Sequence, residues 1–330
     1  MKNLSLLILT DHSTHSAHNS FYWLLAGFAR HPNICKGAVA SKHYLENQPF
    51  FEGQMNAMLF GYEPEPTGFQ NWKWPMAADL DLIDISSFDL VFLRLPEPVA
   101  DTFFLALEAA FPHTLFINRP SGILKTGSKA YLTRFPALCP PMQVVHSPEE
   151  AINLSQTMDI VLKPLRNYGG KGIMKIEAME LFKGNEKQDL SHLSHLWDPR
   201  GSMLAMKYLP HLSAGDKRTV VAHGHLQFST VRYPPSDSWI CNVAQGGRSE
   251  MSSPTPEEEE IARILTPQLE EEGVILFGFD TLMDDSGLRK LSEINVQSIG
   301  GIGPAEQATG KPISAQIVDH LMHYAMKQLS

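Results

Sequence analysis

The chain has 330 residues, of which 43% are hydrophobic and 19% charged; that composition supports a large buried core and excludes a disordered chain. Acidic residues exceed basic ones, 36 against 27, for a formal net charge of -9, and no Lys/Arg run could track a phosphate backbone, so nucleic acid is not an expected partner.

Residues 4–9 form an apolar run behind Lys2 that is too short for a signal-peptide core, and Leu4–Thr10 is expected to be a first buried strand. A polar loop and the apolar segment 21–29 follow, the opening of an α/β unit. Residues 48–75 mix Gly, Pro and aromatics without clear period, which predicts a long excursion of the first domain. Residues 89–94 form a continuous apolar strand ending in Arg94, Asp101–Ala110 a helix, and residues 114–118 the next strand. This alternation implies a mostly parallel sheet with ligands at the strand ends.

Asn118-Arg-Pro120 marks a boundary, because proline breaks structure there and a polar, Lys-bearing segment follows. Ser147, Pro148 and Glu150 predict a capped helix start. Residues 159–164 and 173–176 are strands joined by a glycine-rich loop, and the polar, His-rich stretch 183–200 suggests a surface connection. Residues 203–209 are expected to open a strand-rich final lobe that ends in the amphipathic helix 312–329. The acidic run 257–260 is expected to be the solvated first turn of a helix over Pro256–Glu271. The division is 1–120, 121–202 and 203–330. No internal repeat is visible, and no stretch approaches the length that spans a bilayer. Cys35, Cys139 and Cys241 are far apart and lack metal or redox spacing, which fits a reducing cytoplasm.

Chemistry concentrates in the second half. The segments Phe277-Gly-Phe-Asp280 and Leu291-Ser-Glu293-Ile-Asn295-Val296 predict a hairpin. Alternation puts Glu293 and Asn295 on one face, and the return strand brings Asp280 opposite. Three hard oxygen donors suit a magnesium ion shared with nucleotide phosphates. Gly169, Gly170 and Gly172 sit in a loop between two strands, so the loop matches neither a Walker nor a Rossmann pattern, but its glycines let backbone amides approach phosphate. Lys163 and Lys129 offer cations nearby. Taken singly, each is a polar hairpin tip, a glycine turn or a solvated lysine; together they form a constellation.

In order and spacing, Asn118-Arg-Pro, Lys129, Ile160-Val-Leu-Lys-Pro-Leu, Gly169-Gly-Lys-Gly-Ile, Tyr208-Leu-Pro, Gly215-Asp-Lys-Arg218, Gln245-Gly-Gly-Arg248, Gly278-Phe-Asp280 and Glu293-Ile-Asn-Val296 resemble bacterial glutathione synthetase, an ATP-grasp ligase. The resemblance runs from about residue 89 to the C-terminus. It implies an α/β ATP-grasp fold with an N-terminal Rossmann-like, pre-ATP-grasp domain, and ATP with Mg2+ or the similar Mn2+ as cofactors. By the same resemblance Lys129 and Lys163 hold nucleotide phosphates under the Gly169, Gly170, Gly172 lid, and the backbone of Met206, Tyr208 and Leu209 reads adenine. Asp280, Glu293 and Asn295 bind metal, while Arg218, Arg232 and Asn242 surround the phosphates and an acyl phosphate. Residues 233–248 correspond to a loop that closes over the site. Arg94 matches a first-domain arginine that contacts the acid substrate. The partners implied are small amino-acid or peptide substrates, and homo-oligomers are common in the family.

One stretch departs from the pattern. After Asn295 the family continues through a Ser-Pro-Thr-like stretch to Ile-Arg-Glu, whereas this chain has Gln297-Ser-Ile-Gly-Gly-Ile-Gly-Pro-Ala-Glu306 and no arginine. Loss of a guanidinium fork removes bidentate carboxylate recognition. An altered acceptor pocket around Ser298, Gly300 and Gly301 is the expectation, with authentic glutathione synthetase and a non-catalytic ATP-binding regulator as alternatives. His12, His15 and His18 have a spacing that invites a metal, yet contact with substrate or solvent in the loop after the first strand is the simpler expectation. For Trp72 and Trp74, packing is simpler than a substrate platform.

Overall fold

The computed structural model describes residues 3–63, 72–167, 169–198, 201–234, 239 and 248–330. The first region contains β1 (Leu4–Thr10), α1 (Ser20–Arg30), β2 (Ile34–Ser41), a short α2 (Gln48–Phe51), β3 (Leu59–Gly61), β4 (Asp81–Ile83), β5 (Leu90–Arg94), α3 (Asp101–Ala110) and β6 (Leu115–Ile117). Strands β2, β1, β5 and β6 form a parallel sheet in that order. Strands β1 and β5 are mostly apolar because both faces are covered, whereas β2 starts exposed at Cys35 and Lys36 and is buried only from Ala38. Leu6 and Ile8 share a core with Phe21, Leu24 and Phe28, whereas Leu7 and Leu9 share another with Phe50, Phe103 and Phe104. The excursion expected over residues 48–75 contributes α2 and β3, and β3 pairs with β4. Strand order reverses between β1 and β5, at whose C-terminal ends Thr10 and Arg94 are register partners.

The next region holds α4 (Pro120–Thr126), a 3-10 segment Lys129–Arg134, β7 (Met142–Val145), α5 (Pro148–Ser155), β8 (Ile160–Pro164), β9 (Met174–Glu177), β10 (Glu180–Lys183), β11 (Glu186–Gln188), α6 (Leu193–Leu196) and β12 (Met203–Lys207). The Ser147 hydroxyl accepts from the Glu150 amide at the start of α5, as the sequence implied. Two expectations change. Residues 183–200 are more than a connection, since β11 closes a hairpin with β10 and Leu193 is buried. Met203–Lys207 does not open the final lobe; β12 is the fifth strand of an antiparallel sheet ordered β11, β10, β9, β8, β12, β7.

The last region contains β13 (Asp216–Ala222), β14 (His225–Tyr233), β15 (Arg248–Ser252), α7 (Pro256–Glu271), β16 (Leu276–Met283), β17 (Arg289–Asn295), α8 (Ile302–Thr309) and α9 (Ile313–Gln328). Its antiparallel sheet is ordered β15, β14, β13, β16, β17. Helix α7 begins at a capping box between Thr255 and Glu258 with Pro256 at its first turn. Here the solvated reading of residues 257–260 is overturned for Glu258, which is fully buried, pairs with Lys217 at 2.6 Å and accepts from the Thr281 hydroxyl at 2.7 Å. A buried Lys on β13 needs a counter-charge, and the helix cap supplies one. Asn118, after β6, ties the first sheet to the last: its amide donates to the Leu276 and Val296 carbonyls and accepts from the Ile275 and Leu276 amides.

Candidate active site

The antiparallel sheets and the chain just after β5 enclose a cavity of about 440 Å³, within the range of small-ligand sites. Register puts the acidic groups at one place in it. Asp280 on β16 faces Glu293 on β17, and Asn295 faces Gly278, so all three side chains meet as the hairpin pattern predicted. The Asn295 amide lies 3.4 Å from the Asp280 Oδ2.

Cations surround this group. Arg218 on β13 donates to both Asp280 oxygens, each at 2.7 Å, in a bidentate fork. Arg232 on β14 bridges Asp280 at 2.8 Å and Asp216 at 2.7 Å. Lys129 pairs with Glu293 at 2.9 Å and donates to the Asn167 carbonyl. Lys163 is buried on β8 and donates to the Ser292 carbonyl at 3.2 Å. Burial lowers its pKa, opposed by Glu293.

Electrostatics separate two neighbouring carboxyls. Burial would raise Asp280, but the guanidiniums of Arg218 and Arg232 hold it well below the usual range. Asp216 is pushed up to about 6 by burial, which Arg232 offsets only in part, with Asp280 adding repulsion. Its Oδ1 has no hydrogen-bond partner. Asp216 was missed as a site residue, although its two-residue offset from Arg218 on a strand was the available signal. Lys171, Trp239 and Glu97, which also line the cavity, were not singled out either.

Gly169 and Gly170 line the cavity with left-handed backbones, φ 67° and 75°; this conformation favours glycine and turns successive amides toward one concavity. Gly172 belongs to the same loop but not to the lining; a Cβ there would meet Pro164 at 2.9 Å. At the far end Met206, Tyr208 and Leu209 form an apolar slot with Val161, Ile173 and Trp239.

At the other end stand Ser298, Gln297, Pro96 and Glu97. Arg94 is buried directly behind and donates to the Ile299 carbonyl at 3.0 Å. Gly300 and Gly301 lie in the turn beyond Ser298 and do not line the cavity. Asn242 and most of the loop 233–248 fall outside the described residues; its ends, Tyr233 and Arg248, are register partners. His12 stacks on Trp74 at 3.8 Å, His15 is walled by Phe21, Tyr22 and Trp74, and His18 is exposed. Among the described residues no three His, Cys, Asp or Glu side chains are grouped to hold a metal. The Asp280, Glu293 and Asn295 set differs in kind: two carboxylates and an amide are hard oxygen donors, and phosphate oxygens would complete such a shell.

Comparison with known proteins identifies the family. Residues 128–310 match the family described as "Prokaryotic glutathione synthetase, ATP-grasp domain". The glutathione synthetase of Brucella melitensis biotype 1 is 31% identical over 242 residues, 72% of this chain and 74% of that protein. D-cycloserine synthetase DcsG shares the fold at TM-score 0.65 and 12% identity, over 97% of this chain and 99% of that one. The ATP-grasp ligase PsnB, complexed with a minimal precursor, Mg and ADP, does so at TM-score 0.59 and 15% identity, over 98% and 99%. With the family match covering more than half of its length, the chain belongs to the prokaryotic glutathione synthetase ATP-grasp family.

Proposed function

We propose that this protein joins the carboxylate of an amino acid or small peptide to an amine, using ATP with Mg2+ and an acyl phosphate, with an acceptor pocket that departs from glutathione synthetase. The observation that carries the reading is that Lys163, Arg218 and Arg232 line one cavity with Asp280 and Glu293, with both guanidiniums on Asp280 and Lys129 paired to Glu293. A substrate carboxylate oxygen attacks the γ-phosphorus and ADP leaves; the amine nitrogen then attacks the acyl carbon, phosphate departs and the nitrogen loses a proton. Phosphoryl transfer requires position and charge neutralisation rather than a protein nucleophile. Lys129 and Lys163 are placed to hold phosphate oxygens, the Gly169 and Gly170 amides to cover them, and Arg218 and Arg232 to face charge on the transferred group. Asp280, Glu293 and Asn295 would hold the metal, which supplies charge neutralisation across the phosphates.

Their ion pairs keep the cations in place before nucleotide arrives, and they must exchange partners when it binds. The amides of Lys207 and Tyr208 donate to Pro141 and Asp159, so base recognition at the hinge falls to carbonyls and to Leu209. The altered pocket rests on residues 297–303, which carry no arginine.

Incubation with ATP, Mg2+ and a panel of amino acids and γ-glutamyl peptides should release ADP and phosphate only when a matching acid and amine are both present. Nucleotide binding without turnover across the panel would instead identify a non-catalytic ATP-binding protein. The family membership favours a second reading, authentic glutathione synthetase; release with γ-glutamylcysteine and glycine as the best pair would establish it, and a better pair would exclude it.

A further inference from the structure

Hairpin β13–β14 turns through His223 and Gly224, whose left-handed backbones, φ 44° and 76°, suit a two-residue turn. Just beyond it His225 stacks on His320 of α9, with ring centroids 4.1 Å apart and planes 11° from parallel. The His223 ring lies 6.0 Å from that of His323 and 5.5 Å from that of Tyr324. Positions 320, 323 and 324 share one side of α9 by helical spacing. Four histidines therefore meet at the contact between one turn and one helix, and none of them lines the cavity.

Two neutral imidazoles stack favourably, but two imidazoliums at that distance repel. The acids nearby are engaged with other histidines. Glu270 of α7 accepts from His223 Nδ1 at 2.9 Å, and Asp319 lies 3.6 Å from His31 Nε2 at the end of α1. Arg119, before α4, adds positive charge near Tyr324. Burial, then His225 and His223, lower the His320 pKa from its ordinary 6.5; Asp319 opposes the shift and His323 adds to it. The helix they act on is a joint between regions. Val318 of α9 packs at Gly27 of α1, where a Cβ would meet it at 2.9 Å, and Leu321 shares a core with Val220 of β13 and Phe228 of β14. The stacked rings sit at the outer edge of that seam, His225 exposed and His320 half-buried.

We propose that the His225–His320 stack is a pH-sensitive clasp, which holds the β13–β14 turn on α9 while both rings are neutral and opens when both are protonated. Histidine is the side chain whose ordinary charge change falls in this range. His320 binds a proton more weakly in the folded chain than in the unfolded one. The stability due to the clasp is therefore complete above about pH 6.5 and is lost as pH falls below it. The two rings titrate as a coupled pair, because a charge on one opposes a charge on the other. His223 stays joined to Glu270 throughout, since a proton added to its ring turns that hydrogen bond into an ion pair. Opening is thereby confined to the His225 side of the turn. The clasp lies outside the cavity and is independent of the ligase reading.

Hydrogen exchange of the full chain followed by mass spectrometry, at pH 7.5 and 5.0 and corrected for intrinsic amide chemistry, tests the clasp. Peptides spanning 222–226 and 313–328 should exchange at least about tenfold faster at pH 5.0, the ratio expected for two unit charges about 4 Å apart at a protein surface. His225→Phe keeps a ring on His320 and removes one of the two charges, so the acid acceleration should vanish while exchange at pH 7.5 stays as in the wild type. His320→Gln removes ring and charge together; it should exchange faster at pH 7.5 and show no further acceleration in acid. In imidazole NMR titrations His225 and His320 should each shift in two steps in the wild type, and the histidine that remains should shift in one step in either variant. Should one variant fail to fold, the wild-type titration and the other variant still decide. Equal exchange at the two pH values, acceleration that survives both substitutions, or independent single-step titrations of the two rings would overturn the clasp.

Discussion

Asp280 is buried yet ionised because two guanidiniums face it, and Glu293 beside it is held by Lys129. Glu293→Ala removes a proposed metal ligand without opening the core, since the side chain is 23% exposed. Turnover should fall at least about a hundredfold with little change in melting temperature; wild-type rates measured at saturating ATP would remove Glu293 from the site. Asp216 permits a test by pH. Its folded pKa is raised from 3.8 to about 6, so between those values the native state binds the proton more tightly than the unfolded chain. Its contribution to stability is complete below pH 4 and is lost as pH rises through 6. Asp216→Asn has no such loss, and the side chain is 17% exposed, which trims the effect to about 1–2 kcal/mol. Urea titrations at pH 4.5 and 7 should show the variant gaining on the wild type at the higher pH, and a pH-independent difference would contradict the assignment.

At the scale of elements, Glu258 shows how a helix start anchors a strand. One carboxylate completes the α7 cap, neutralises Lys217 on β13 and accepts from Thr281 on β16. Lys217 lies between Asp216 and Arg218 and Thr281 follows Asp280, so the pair braces the strands that carry the site from their opposite faces. Glu258→Gln has one acceptor oxygen where the carboxylate uses two, for the Thr255 amide and the Thr281 hydroxyl, and it leaves Lys217 as an uncompensated buried charge, at a cost of about 3–5 kcal/mol. Adding Lys217→Met should recover more than half of that in chemical denaturation; simple additivity of the two changes would show that the charges are not coupled. The outer elements were legible in the sequence because local chemistry settled them. Continuous apolar runs marked β1 and β5, Ser147 and Pro148 opened α5, and Pro256 opened α7. Glu258 was misread because a run of four glutamates looks solvated until β13 brings a lysine against one of them. The placement of β12 failed for a related reason: Met203–Lys207 is apolar enough for either sheet, and only pairing with both β7 and β8 decides between them. Motif spacing located Asp280, Glu293 and Asn295, whereas the bridge from Arg232 to both Asp216 and Asp280 depends on the β13–β14 register.

Over the whole molecule, the proposed reaction needs the Arg94 end of the first sheet and the Asp280 end of the last one to keep a fixed separation. Two features couple them. Leu24 of α1, Val220 of β13 and Leu321 of α9 belong to one apolar core, and Asn118 spans from the end of β6 to the backbone at Ile275, Leu276 and Val296 with four hydrogen bonds of 2.7–2.9 Å. An amide has two donors and one carbonyl oxygen, and this one uses all of them on backbone groups at the ends of β16 and β17. Asn118→Ala would leave two carbonyls and two amides to find water in a buried place, at roughly 1–3 kcal/mol for each group that fails. The expected loss is about 3–5 kcal/mol in total, below the simple sum because neighbouring bonds are not independent. Because the apolar core still joins the two regions, the chain should melt several degrees lower in one transition rather than two. The separation that Asn118 fixes also sets where the substrate head lies relative to the phosphates, so the same variant should raise KM for the acid substrate more than for ATP. Scanning calorimetry and steady-state kinetics on one preparation decide it: an unchanged melting temperature would deny Asn118 its structural weight, and equal changes in both KM values would deny that it sets the distance between the two ends of the site.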